Sequence, residues 1–131
     1  MIRLLSLLTS TVCVAIFLFP TVSNSNSTGS IGGKTGSPID GSSCTQCHVS
    51  NGIGTGATIT TNIPLGGYVP GNTYTITANV NQTGINTFGF ELTAEENNGS
   101  TKTGTFFITN STETQFTNNA NAVTHKAGGT L

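Results

Sequence analysis

Charged side chains are scarce in this 131-residue chain, with four Lys and Arg against five Asp and Glu and a formal net charge of −1. Arg3, Lys34, Lys102 and Lys126 are too scattered to form the basic stripe that tracks a phosphate backbone, so no nucleic-acid partner is expected. Trp is absent, His occurs twice, and the one Met is residue 1. With 34% hydrophobic residues there is room for one small domain and no second core.

Only one long apolar run is present. Arg3 supplies a positive start and Leu4 to Phe19 is mostly apolar up to Pro20, after which small polar residues follow. This is the pattern of a secretory signal peptide over 1–23, cleaved near Ser23. A membrane span needs about 20 apolar residues and anchors beyond them, so no stable span is expected once the signal is removed. Cys13 lies inside the run, which leaves Cys44 and Cys47 as the cysteines of the exported chain. Thr, Asn, Ser and Gly occupy the positions where cytosolic proteins place Lys and Glu, in keeping with a secreted, periplasmic or cell-surface location.

Residues 24–57 form a Gly/Ser-rich segment containing Gly29, Gly32, Gly33, Gly36 and Gly41, in which neither a helix nor a strand period is sustained. Over 24–43 this segment is expected to be irregular and poorly packed, since its glycines are costly to order and it offers little to bury. It carries the densest chemistry in the chain, Cys44-Thr-Gln-Cys47-His48. Two thiols at this spacing can each add across a vinyl group of one haem, and the following imidazole can reach the iron. The expectation is therefore one covalent haem c per chain, attached at Cys44 and Cys47, with His48 as proximal iron ligand.

Three other readings of the motif remain open. A Cys44–Cys47 disulfide suits an oxidising compartment. A zinc site would need a fourth ligand. A thioredoxin-like pair would need a helix N-terminus to activate the thiol, and no helix is visible around the motif.

The second axial ligand follows by elimination. Met1 leaves with the signal, so His125 is the candidate distal ligand, with Lys34, Lys102 and Lys126 as fallbacks if neutral. His125 could equally be an ordinary strand-end residue. Glu91, Glu95 and Glu96 form the only carboxylate cluster, but Glu95-Glu-Asn-Asn-Gly99 reads as a solvated hairpin turn rather than as a catalytic acid pair. Asp40 and His125 could be named as parts of a triad, yet no nucleophile elbow accompanies them. No enzymatic reaction is expected.

Residues 58–131 alternate in the manner of strands. Thr73 to Val80 sets Tyr74, Ile76, Ala78 and Val80 on one face, and Thr87 to Ala94 does the same with Phe88, Phe90, Leu92 and Ala94. Strands are expected near 58–63, 73–81, 87–95 and 104–109, with a weaker one at Gln115-Phe-Thr. Short strands about 12 residues apart, with no helix between them, imply an all-β fold, specifically an immunoglobulin-like antiparallel β-sandwich. About five strands fall short of the seven of such a sandwich, so a C-terminally truncated domain of marginal stability is expected.

Gly33-Lys-Thr-Gly-Ser-Pro38, Cys44-Thr-Gln-Cys-His48, Gly67-Tyr-Val-Pro-Gly-Asn-Thr-Tyr-Thr-Ile-Thr-Ala78, Phe88-Gly-Phe-Glu-Leu92 and Val123-Thr-His125 occur in that order. In this the chain resembles the reeler-like, choice-of-anchor V domains of secreted Bacteroidota-type proteins, over residues 29–127. The resemblance implies a cell-surface or released immunoglobulin-like sandwich bearing a haem motif, in a family whose members continue into further strands and often a sorting domain. It implies no reaction. The leading expectation is a secreted single-haem c-type cytochrome-like domain for electron transfer or haem display, acting with a redox partner the sequence does not name. The alternative is a haem-free adhesion or matrix-binding sandwich with a Cys44–Cys47 disulfide and an extracellular ligand.

Overall fold

The computed structural model describes residues 26–48 and 56–127. The signal peptide expected over 1–23 lies outside the described residues. Among the described residues there are five strands: β1 (Ala57–Thr61), β2 (Ile76–Val80), β3 (Glu91–Leu92), β4 (Thr114–Thr117) and β5 (Ala122–His125). They make two small antiparallel sheets, a β1-β2 pair and a three-stranded sheet in the order β3-β5-β4. The fold is all-β, and among the described residues the only helix is one 3-10 turn at Cys44–Gln46. No described helix is long and apolar enough to cross a membrane.

The β1-β2 pair runs in register from Ala57 opposite Val80 to Thr61 opposite Ile76. Asn62 lengthens it: its amide donates to the Thr75 carbonyl at 3.3 Å and its Oδ1 accepts the Thr75 amide at 2.8 Å. At the other end Gly56 is required by space, because a Cβ there would lie 1.8 Å from the Asn81 carbonyl oxygen. The expected strand over 73–81 is shorter, at 76–80. Ahead of it the Tyr74 hydroxyl accepts the Val69 amide at 2.8 Å, tying the chain into the preceding loop.

The expected strand over 87–95 contracts to Glu91–Leu92, for a reason in its neighbours. At Phe90 both backbone groups are taken by side chains of β5, the amide by His125 Nδ1 at 3.1 Å and the carbonyl by the Thr124 hydroxyl at 2.7 Å. Side-chain bonds replace the ladder at that residue. Gly89 makes room for this, since a Cβ there would sit 2.8 Å from His125 Cε1.

No strand forms over 104–109. Phe106 and Ile108 are half-buried and Phe107 is 70% exposed, so burial alternates there without a backbone ladder. The pairing goes instead to β4, expected as the 115–117 segment, and to β5, expected only as a strand end at His125. Their connection explains the hairpin: Asn118, Asn119 and Ala120 all have positive φ, and the Asn121 amide donates to the Asn118 carbonyl at 3.0 Å. Asn tolerates the left-handed region better than other residues with a Cβ, which makes the Asn-rich stretch a turn.

The core is thin, as composition suggests. Ala122 and Thr124 are fully buried, while Ile59, Tyr68 and Phe107 are each more than half exposed. The most enclosed large side chain is thus a hydroxyl-bearing one, and it has partners for both roles. Thr124 Oγ1 accepts the Ser30 amide at 3.0 Å while donating to Phe90. Polar anchoring supplies here what apolar burial does not.

Candidate functional site

The Cys44–Gln46 turn carries the motif. Ser43, in extended conformation, caps it and its hydroxyl accepts the Thr45 amide at 3.4 Å. The amides of Cys47 and His48 both donate to the Cys44 carbonyl, at 3.2 and 3.0 Å. Both cysteines are free and exposed, and His48 is exposed beside them. One tight turn therefore presents two thiols and an imidazole to solvent.

The loop ahead of the turn is irregular, as expected, but it is not poorly packed. Gly29 is buried with φ of +125°, and a Cβ on it would meet Gln115 Nε2 at 2.4 Å and the His125 carbonyl oxygen at 2.9 Å. Glu91 on β3 collects the Ser30 hydroxyl, the Gly33 amide at 2.8 Å and the Lys34 amide at 3.2 Å. Gln115 Nε2 donates to the Thr28 carbonyl, and the Thr117 hydroxyl donates to the Ser30 carbonyl at 3.0 Å. The reason is that many unpaired amides suit a carboxylate, so a glycine-rich loop can be ordered by polar contacts where it has nothing apolar to offer.

The second half of the loop is held by a charge cluster. Lys102 Nζ lies 2.8 Å from Asp40 Oδ1 and 3.6 Å from Glu95 Oε1, with these side chains 14%, 4% and 8% exposed. Glu95 also accepts the Ser37 hydroxyl and the Ile39 amide, the latter at 3.3 Å. The solvated-turn reading of 95–99 is thus corrected in part: the turn exists, with the Gly99 amide on the Glu96 carbonyl at 2.8 Å, but the Glu95 side chain faces inward onto the loop. Desolvation pushes the Asp40 carboxyl up, but the Lys102 ammonium and the Thr35 hydroxyl and amide outweigh it and hold the group below its ordinary value. Asp40 is committed to Lys102 and Thr35, which leaves the triad reading without support.

The fallback lysines are engaged as well. Lys102 sits in this cluster, Lys34 Nζ donates to Ser42 Oγ at 3.3 Å and to Gln46 Oε1, and Lys126 Nζ donates to the Ser111 carbonyl at 3.3 Å.

At the motif, the Cys44 thiol donates to the Lys34 carbonyl at 3.6 Å. Although the residue is exposed as a whole, the protein around its sulfur displaces water, and this together with the nearby Glu91 charge pushes the thiol above its ordinary pKa. His125 is half-buried on β5, its ring 6.4 Å from that of Phe90. Because Nδ1 accepts the Phe90 amide, the neutral ring carries its hydrogen on Nε2. Binding a metal through Nε2 would require the hydrogen on Nδ1, where the Phe90 carbonyl at 3.3 Å could accept it and the Phe90 amide would lose its partner.

Two shallow clefts flank β3. One, of about 240 Å³, is lined by Thr35, Gly36, Ser37, Ile59, Glu91, Leu92 and Thr93. The other, of about 220 Å³, brings Ala78 and Val80 of β2 opposite Phe90 and Leu92. Both fall below the roughly 300–1,000 Å³ of ordinary small-molecule pockets, and neither is lined by Cys44, Cys47 or His48. Among the described residues no three His, Cys, Asp or Glu side chains gather to hold a metal ion. The donor set thus fits a group attached through the two thiols better than one held by an enclosing pocket or a ready-made metal cage.

Glu91 and Thr124 were not legible as site residues. The available signal was an acidic residue, one of five in the chain, within an alternating strand downstream of an amide-rich glycine loop. No protein-family model, curated protein or solved structure matches this chain.

Proposed function

We propose that this chain is a secreted or cell-surface, single-haem c-type domain for electron transfer or haem display, built on an immunoglobulin-like β-sandwich of the reeler-like, choice-of-anchor V kind. The observation that carries the reading is the capped turn presenting Cys44, Cys47 and His48 together on a loop anchored to the sheet. Haem c, when bound, supplies one-electron chemistry at its iron. The residues of the chain do the rest. Cys44 and Cys47 would provide the attachment thiols and His48 an imidazole for the iron, and His125 would serve as the second imidazole only by giving up its bond to the Phe90 amide. The exposure of the motif leaves it open to a redox partner.

A haem-free adhesion domain, with Cys44 and Cys47 joined as a disulfide, is the second reading. It is favoured by one observation, the apolar tip of the β1-β2 connection, where Leu65 is fully exposed and Tyr68 and Val69 are 67% and 55% exposed.

Export of the full chain from a host with c-haem maturation machinery separates the two. The cytochrome reading expects a coloured product with a Soret band and a haem stain that survives denaturing electrophoresis, lost in Cys44→Ala and Cys47→Ala. Fully exported, colourless protein would end it and leave the adhesion reading standing.

A further inference from the structure

The attachment loop has little apolar surface to bury and several left-handed glycines, so conformational entropy favours its release from the sheet. In its first half three of the bonds that oppose release converge on one carboxylate. Glu91 Oε1 accepts the Gly33 amide at 2.8 Å, and Oε2 accepts the Lys34 amide at 3.2 Å and the Ser30 hydroxyl. Two short steps lead from there to the motif. The carbonyl of Lys34 accepts the Cys44 thiol, and the next residue, Thr35, forms a β-bridge with Ser43, the cap of the motif turn. Glu91 itself is fixed by β5, opposite the buried Thr124, whose hydroxyl holds the Ser30 amide.

We propose that Glu91 is the positioning residue of the attachment loop: it latches residues 30–35 onto β3, and its negative charge favours the oxidised state of an iron carried by that loop. The latch stands on the hydrogen-bond geometry alone, whereas the effect on iron rests on the haem reading above. Its physical basis is the strength of amide bonds to an ionised acceptor. Such bonds are stronger than neutral ones, and three of them converge on this carboxylate. A fixed anion near an iron centre stabilises the more positive ferric form and so lowers the reduction potential.

The test compares the full chain with Glu91→Gln. The side-chain amide of Gln turns a donor toward at least one of the three donors that the carboxylate accepts, so the latch loses both charge and an acceptor. In haem-free protein the amides of Gly33 and Lys34 are expected to exchange with solvent deuterium about tenfold faster or more in the variant, the loss of one charge-assisted bond. A control, Glu113→Gln, whose carboxylate meets only Asn110 Nδ2 among the described residues, should leave them unchanged. Equal exchange in Glu91→Gln and the parent would overturn the latch. Should Glu91→Gln fail to fold, Ser30→Ala removes one arm alone, and faster exchange at Lys34 is expected; no change there would equally overturn it.

In haem-loaded protein Glu91→Gln should raise the reduction potential, less so at high salt, a readout that a merely structural carboxylate would not move. An unmoved potential would overturn the charge role. A parent chain that takes up no haem would remove the haem reading and the charge role together, while the exchange measurement still decides the latch.

Discussion

Glu91 and Thr124 are register partners on β3 and β5, and both hold Ser30, the carboxylate through its hydroxyl and the buried threonine through its amide at 3.0 Å. One cross-strand pair therefore joins the sheet to the loop that carries the two thiols. The sheet is small and its core thin, so this polar junction bears on stability as well as on the site.

Thr124→Val tests the junction. The isosteric change removes a hydroxyl that serves the Ser30 amide and the Phe90 carbonyl, leaving two groups unpaired in a fully buried place. A loss of about 2–6 kcal/mol is expected, at about 1–3 kcal/mol for each unsatisfied group. Thr124→Ser, which keeps the hydroxyl, should lose much less in the same denaturant titration.

His125→Ala should act twice. It deprives the Phe90 amide of its acceptor, which should lower stability by about 1–3 kcal/mol in haem-free protein. In haem-loaded protein it should convert a low-spin ferric spectrum to high-spin while the covalent stain persists. An unchanged low-spin spectrum would assign the distal ligand elsewhere.

Gly89→Ala probes the space under the same ring. The added Cβ would lie 2.8 Å from His125 Cε1, so ring or strand must shift, and a cost of about 1–3 kcal/mol is expected. Thermal melting of the haem-free variant measures it.

Acid should release the second half of the loop. Because the Asp40 pKa is lowered on folding, its contribution is present above the unfolded carboxylate value and is lost as pH falls through the depressed folded value. Asp40→Asn should therefore flatten the acid limb of the stability profile below about pH 4, near the unfolded value. At neutral pH it should also weaken the hold of Lys102, seen as faster exchange of the Thr35 amide. An acid limb identical to that of the parent would refute this.

Ala120→Gly should stabilise the β4-β5 hairpin. Ala120 has φ of +64°, a conformation that costs a residue with a Cβ about 1 kcal/mol or more and glycine almost nothing. Part of that gain is offset by the freer unfolded chain, so a rise in melting temperature corresponding to less than about 1 kcal/mol is expected.

The sequence by itself determined the all-β character, through alternation at Ile76, Ala78 and Val80 and through the absence of any helical period. It also determined the five-residue motif, whose chemistry depends on local spacing alone. It did not determine where ladders would form. The 104–109 segment alternates yet finds no partner strand, while β5 was legible only as a strand end at His125, because its pairing depends on a turn of three left-handed residues, Asn118, Asn119 and Ala120. Nor could it show what orders the glycine loop, since Glu91 and Ser30 are 61 residues apart and nothing local brings them together. Only the tertiary structure decided that, because a carboxylate can satisfy distant amides only once β5 has fixed β3 beside them.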